Sequence, residues 1–127
     1  MTYEDLRTDI FNELIAPDEE IRCPFYGMLL SGNRASGTGF FALTDDAFLL
    51  SVIFKHDREK PCNLRIPLEL VRTDVKKNFL GQYTIELEFE DGEIYRMRAS
   101  YKIPGVTLDF QEDGLSQFIE LMSAYER

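Results

Sequence analysis

The sequence predicts a mainly β fold, a small antiparallel barrel or sandwich capped by a C-terminal helix. Three observations carry this. A hairpin alternates with period two through Tyr83, Ile85, Leu87 and Phe89, turns at Glu90-Asp91-Gly92, and returns through Tyr95, Met97, Ala99 and Tyr101. Several β-rich runs divided by turn residues precede it. One helix-period pattern then closes the chain, with Leu115, Phe118, Ile119 and Met122 at i, i+3, i+4 and i+7 and with Leu121 and Tyr125 beside them.

Taken in order, the first element is a helix. Thr2 suits an N-cap, with Asp5 three residues on as a short relative of the capping-box glutamate. Leu6, Ile10 and Leu14 recur at helical spacing, flanked by Tyr3 and Phe11, and Pro17 ends the pattern. The spacing predicts about three turns over residues 1–17, with the remaining domain over 18–127. From Ile21 the period becomes strand-like. The expected strands are Ile21 to Ser31, with a bulge at Gly27, then Thr38 to Leu43, Ala47 to Phe54, a short Asn63 to Pro67, and Leu70 to Lys77 with Val71, Thr73 and Val75 on one face. Ser31 to Gly37 and Lys55 to Pro61 read as loops, and Asp45-Asp46 as turn chemistry. Asn78-Phe79-Leu80-Gly81 turns into the hairpin.

The hairpin register follows from parity. The apolar residues of both arms are odd-numbered, so they share a face only if the loop has three residues. Such a loop needs a left-handed third residue, and Gly92 stands there. Glu86, Glu88 and Glu90 then face water opposite Arg96 and Arg98, as exposed ion pairs worth a few tenths of a kcal/mol each. Asp113 is the expected N-cap of the terminal helix, and Phe118 its main core residue.

Length and composition bound the class. A chain of 127 residues is most simply one domain, large enough to bury about two thirds of its unfolded surface. Its hydrophobic and charged fractions are ordinary for a globular protein. No apolar run approaches the roughly 18 residues of a membrane span. The acidic start lacks the basic-then-apolar order of a signal peptide, so the expected compartment is the cytoplasm. A net charge of −9 argues against nucleic acid, which needs a basic face. Cys23 and Cys62 have no metal-ligand spacing and read as two thiols in a reducing compartment, although one cross-link between them is open.

Ile21-Arg22-Cys23-Pro24-Phe25-Tyr26-Gly27, Gly39-Phe40-Phe41-Ala42-Leu43-Thr44-Asp45-Asp46, Arg65-Ile66-Pro67-Leu68 and Leu80-Gly81-Gln82-Tyr83-Thr84-Ile85 together carry a family likeness. With seven antiparallel strands and a C-terminal helix, the chain resembles the pleckstrin-homology-like (PH-like) superfold, including its GRAM branch. It looks most like the bacterial PH-domain families of the YokE-like group, over roughly residues 18–126. That resemblance implies a seven-stranded barrel and a binding or assembly module, with no catalytic motif to carry over. The N-terminal helix is an addition to the minimal fold.

Phosphoinositide-binding domains of this superfold resemble one another in a basic first hairpin loop. Here that loop offers Arg34, and the next connection adds Lys55, Arg58 and Lys60 as candidate anion-binding residues. Asp57 and Glu59 lie between them, and Glu90, Asp91 and Glu93 occupy the turn expected beside them. Four bases against five acids leave no net attraction, which argues against membrane binding. His56 is the only histidine and stands in no relation to a nucleophile, and one imidazole makes no ordinary metal site. The glycines Gly32, Gly37 and Gly39 read as hairpin-loop residues, lacking the Gly-Lys-Ser/Thr ending of a phosphate loop. Asp18, Glu19 and Glu20 lack calcium-loop spacing and read as a solvated lead into the first strand. No catalytic residue, metal or cofactor is expected. The expected function is therefore a non-catalytic module for a protein partner or for self-association. The stripe Tyr3, Leu6, Ile10, Phe11 and Leu14 is the expected interface, because a short helix needs packing and the barrel is complete without it, with packing on its own barrel as the less favoured alternative. The alternative is binding of an anionic lipid or small anion through the loop mouth.

Overall fold

The computed structural model describes residues 1–124. Its order is α1 (Tyr3–Asp5), a π-helical turn (Leu6–Ile10), β1 (Arg22–Ser31), β2 (Arg34–Leu43), β3 (Ala47–Phe54), β4 (Asp57–Pro67), β5 (Leu70–Lys77), β6 (Tyr83–Phe89), β7 (Ile94–Ala99) and α2 (Gln111–Ser123). The seven strands form one antiparallel sheet in the order β4-β3-β2-β1-β7-β6-β5, leaving β4 and β5 at the edges. This is the expected mainly β, PH-like arrangement with a C-terminal helix. Tyr125 lies outside the described residues.

The sheet wraps a core rich in aromatic residues. Phe25, Phe41, Phe48 and Phe118 are fully buried, and α2 packs on β1 and β5. Phe118 meets Phe25 edge to face at 4.8 Å, as expected for a capping helix. The hairpin keeps its parity-derived register: Ile85 pairs with Met97 and Leu87 with Tyr95. Gly92 has φ +92°, and its N–H donates to the Phe89 carbonyl at 3.0 Å.

Several boundaries move, each for a local reason. β2 begins at Arg34 rather than Thr38, because Gly32, at φ +64°, closes a tight turn with Asn33. Gly37 and Gly39 therefore lie inside a paired strand. β4 begins at Asp57, so the charged run 57–60 is strand and not loop. This charged strand with Pro61 and Pro67 occurs at a sheet edge, where charge and proline block further pairing. Gly27 is not a bulge. It pairs with Gly39, and a Cβ there would come within 2.8 Å of the Arg98 carbonyl oxygen. The β1 irregularities fall at Arg22/Phe25 and Leu29/Leu30 instead, and Cys23 takes φ +55° before Pro24. In β5 a register shift between Leu70 and Arg72 leaves Val71 exposed, while Thr73 is buried and donates to the Met122 carbonyl at 2.6 Å.

Helix α2 starts at Gln111, not after Asp113, and its first turn carries no side-chain cap. Gln111 is pulled inward: its amide donates to the carbonyls of Tyr26 and Ser100 at 2.9 Å each and accepts from the Tyr26 N–H at 2.7 Å. This side chain supplies partners that a buried strand backbone requires.

The N-terminal helix is shorter than three turns. Thr2 and Asp5 form the expected capping box, but the Phe11 N–H then bonds to the Leu6 carbonyl at 2.8 Å, one residue beyond α spacing. The interface stripe is also not a free surface. Leu6 and Phe11 are fully buried in a second cluster with Ile21, Ala42, Ala47, Leu49 and Phe110, and Ile10 and Leu14 pack against it. Tyr3 stays 39% exposed, its hydroxyl donating to the Ile21 carbonyl. The stripe thus finds its cover on the outer face of its own β2 and β3.

Candidate functional site

The four sequence candidates lie on two neighbouring connections of the sheet, β1–β2 and β3–β4. Arg34 begins β2, Lys55 lies at the β3–β4 turn, and Arg58 and Lys60 lie on the irregular start of β4. The Lys55 N–H bonds to the Ser36 carbonyl, two residues from Arg34. All four side chains are exposed, and among the described residues none takes part in an ion pair. No cavity gathers them. His56 stacks on Phe54 at 5.5 Å on the same turn, an exposed contact without a nucleophile. Cys23 and Cys62 are free thiols, and burial pushes the Cys23 thiol up.

Glu19 is not merely solvated. Arg65 on β4 holds both of its carboxylate oxygens at 2.7 Å, and also reaches the Leu14 carbonyl and Asp46. These bonds, with one from the Ala16 N–H, hold the Glu19 carboxyl down to about 2. The Arg7 guanidinium meanwhile donates to the Glu19 and Pro17 carbonyls. Together these contacts strap residues 7–19 to the sheet.

Two features of the hairpin β5–β6–β7 have clear chemical potential. The first is the β5–β6 turn. Phe79 is 95% exposed and Leu80 is 70% exposed. The turn beneath them is tied down by Asn78: its side-chain oxygen accepts from the Leu80 and Gln82 N–H groups, its amide donates to Gln82, and Gly81 sits at φ +82°. Two large apolar side chains therefore stand on a rigid base. The pattern Asn78-x-x-Gly81 announced the turn in the sequence, but nothing in it announced that both apolar residues would point outward.

The second is a polar groove of about 300 Å³ on the outer face of the β5–β6–β7 layer, lined by Asn33, Lys76, Thr84, Arg96 and Arg98 among others. Glu86 is not a simple exposed partner there. Arg96 grips it through Nε and Nη2 at 2.9 and 2.5 Å, and Arg72 takes the other oxygen at 2.9 Å. The two guanidiniums, Arg96 first, hold its carboxyl below the usual range. Arg98 stands opposite Thr84, not opposite a carboxylate. The expected ion pairing of Arg98 with the hairpin glutamates therefore does not form: the register sets Glu86 against Arg96, Glu88 against Ile94 and Thr84 against Arg98.

No family model matches the sequence, and no curated protein matches it. Among solved structures, the chain is similar to the hSac2 domain from the human phosphoinositide phosphatase Sac2, with a TM-score of 0.55 and 12% identity over 96% of this chain and 79% of that one. At this identity the likeness is one of fold, a seven-stranded antiparallel sheet with a C-terminal helix.

Proposed function

We propose that the chain is a non-catalytic module of the bacterial, YokE-like PH kind that docks on a protein surface through the Phe79–Leu80 turn. The observation that carries this is the exposure of two large apolar side chains on a turn that the Asn78 side chain ties down. A rigid base lowers the ordering cost of docking, and an aromatic anchor suits an apolar socket. The N-terminal stripe no longer competes for this role, since its own sheet covers it. The charge of −9 disfavours an anionic membrane as the docking surface.

A photo-crosslinking residue at position 79 tests the reading in cells. A discrete protein adduct is expected, with the same chain or another, and Leu80→Asp should remove it. The same probe at Val106, exposed elsewhere, should give no such adduct. Lipid adducts alone, or none from position 79, would reject the proposal.

A further inference from the structure

We infer that the groove at Arg98, on the outer face of the β5–β6–β7 layer, binds a compact oxyanion of the phosphate class. The two neighbouring arginines of β7 make the contrast. Arg96 is fully engaged: Nε and Nη2 hold Glu86, and Nη1 donates to the Gly32 carbonyl at 3.1 Å. Arg98, two residues along the same face, has no hydrogen bond or ion pair among the described residues. Its Nε is buried from solvent and has no partner. A guanidinium stays charged at any ordinary pH and carries five donors in a planar fork. The Nε is beyond the reach of a guest in the groove, but the Nη groups at the end of the fork are neither bonded nor shielded, and a two-oxygen anion fits them.

The surroundings suit such a guest. Across the ladder Arg98 faces Met28 on β1 and Thr84 on β6, so neither neighbouring strand sets a carboxylate directly opposite it. Thr84 and Asn33 bring neutral polar groups to the groove, and Lys76 stands at its rim with its side chain 77% exposed. On the other side of Arg98 an adjoining groove of about 160 Å³ includes Lys102. Two acids also line the main groove. Glu86 is already neutralised by Arg72 and Arg96, and Asp74 lies 3.5 Å from the Lys76 ammonium. Among the lining residues, Lys76, Arg96 and Arg98 against Asp74 and Glu86 leave one positive charge in excess on a chain of net charge −9. The exposed cations Arg34, Lys55, Arg58 and Lys60 share none of this: no groove, no buried donor and no flanking hydroxyl.

The site stands independently of the docking turn, and its test differs. Inorganic phosphate is titrated against chloride at constant ionic strength while arginine Nε–H resonances are followed by NMR. A saturable shift at Arg98 is expected, with Arg34 unmoved. Arg98→Gln should weaken binding about tenfold or more, the loss of charge-assisted bonds, and Arg98→Lys should restore part of it. Lys55→Gln should leave binding unchanged. A thermal melt of Arg98→Gln shows whether the variant is folded, and direct titration of the unaltered protein keeps the test valid if it is not. Phosphatidylcholine vesicles doped with phosphatidic acid form the second arm, with undoped vesicles as the blank. Tighter binding to them than to free phosphate identifies a lipid headgroup, and phosphate binding without vesicle binding identifies a soluble ligand. No saturable shift in the unaltered protein, or an equal response in a folded Arg98→Gln, overturns the site.

Discussion

The C-terminal helix, on β1 and β5, and the N-terminal segment, on β2 and β3, pack on opposite faces of the sheet, and different chemistry holds each. Phe41 and Leu43 face the core under α2, while Ala42 faces the cluster under Leu6 and Phe11. Helix α2 is seated by shape. Gly114 lies so near β1 that a Cβ there would fall inside the van der Waals envelope of the Pro24 carbonyl, and the Gln111 amide bonds directly to strand backbone. The N-terminal segment also has side-chain bonds to backbone, from Tyr3 to the Ile21 carbonyl and from Arg65 to the Leu14 carbonyl, but no glycine seated at such a close approach. Two buried side chains and the Arg65–Glu19 clasp hold it, over a helix too short to persist alone. Both segments look amphipathic in sequence, yet only the structure shows that one is keyed into the backbone and the other is laid on and strapped.

The largest expected effect breaks the key. In an ordinary helix interior, Gly→Ala stabilises by about 1 kcal/mol. Gly114→Ala should do the reverse and cost more than about 3 kcal/mol, because the opposing atom is backbone and cannot rotate away. Chemical denaturation measures it, and a stabilised Gly114→Ala would mean that α2 is not keyed to β1.

A smaller effect sharpens the account of the strap. The Glu19 pKa is depressed from 4.5 to about 2 in the folded state. Its contribution to holding the segment is therefore complete above pH 4.5 and lost as pH falls toward 2. Amide hydrogen exchange over residues 6–19 should quicken across that window while exchange in β2 and β3 stays slow. Glu19→Gln should remove the pH dependence of that difference. Uniform loss of protection throughout the sheet would show that the strap and the barrel open together.

The comparison also explains what could be read from the sequence. The hairpin register was legible because parity and one glycine, Gly92, leave a single consistent pairing. The core role of Phe118 was legible because a helix period exposes one face. Gln111 and Gly114 were not, since both act through backbone groups of Tyr26, Ser100 and Pro24, distant in sequence. The N-terminal stripe was legible as something buried, but the identity of its cover was not. Ala42, Ala47 and Leu49 offer a second apolar face only because β2 and β3 are buried on both sides, a property that alternation in one strand does not declare. Arg34, Lys55, Arg58 and Lys60 were chosen by loop composition, which says nothing of convergence. Arg98 needed the register already derived for its own hairpin, carried one pair further.

The central claim is that the N-terminal apolar residues belong to the core while those of the β5–β6 turn do not. Thermal and chemical unfolding of Phe11→Asp beside Phe79→Asp tests it most directly. Phe11→Asp places a carboxylate at a fully buried site and should cost more than about 3 kcal/mol. Phe79→Asp should leave stability within about 0.5 kcal/mol, as for a surface position. A Phe11→Asp protein with an unchanged melt, or a Phe79→Asp protein that unfolds, would contradict this division of the molecule.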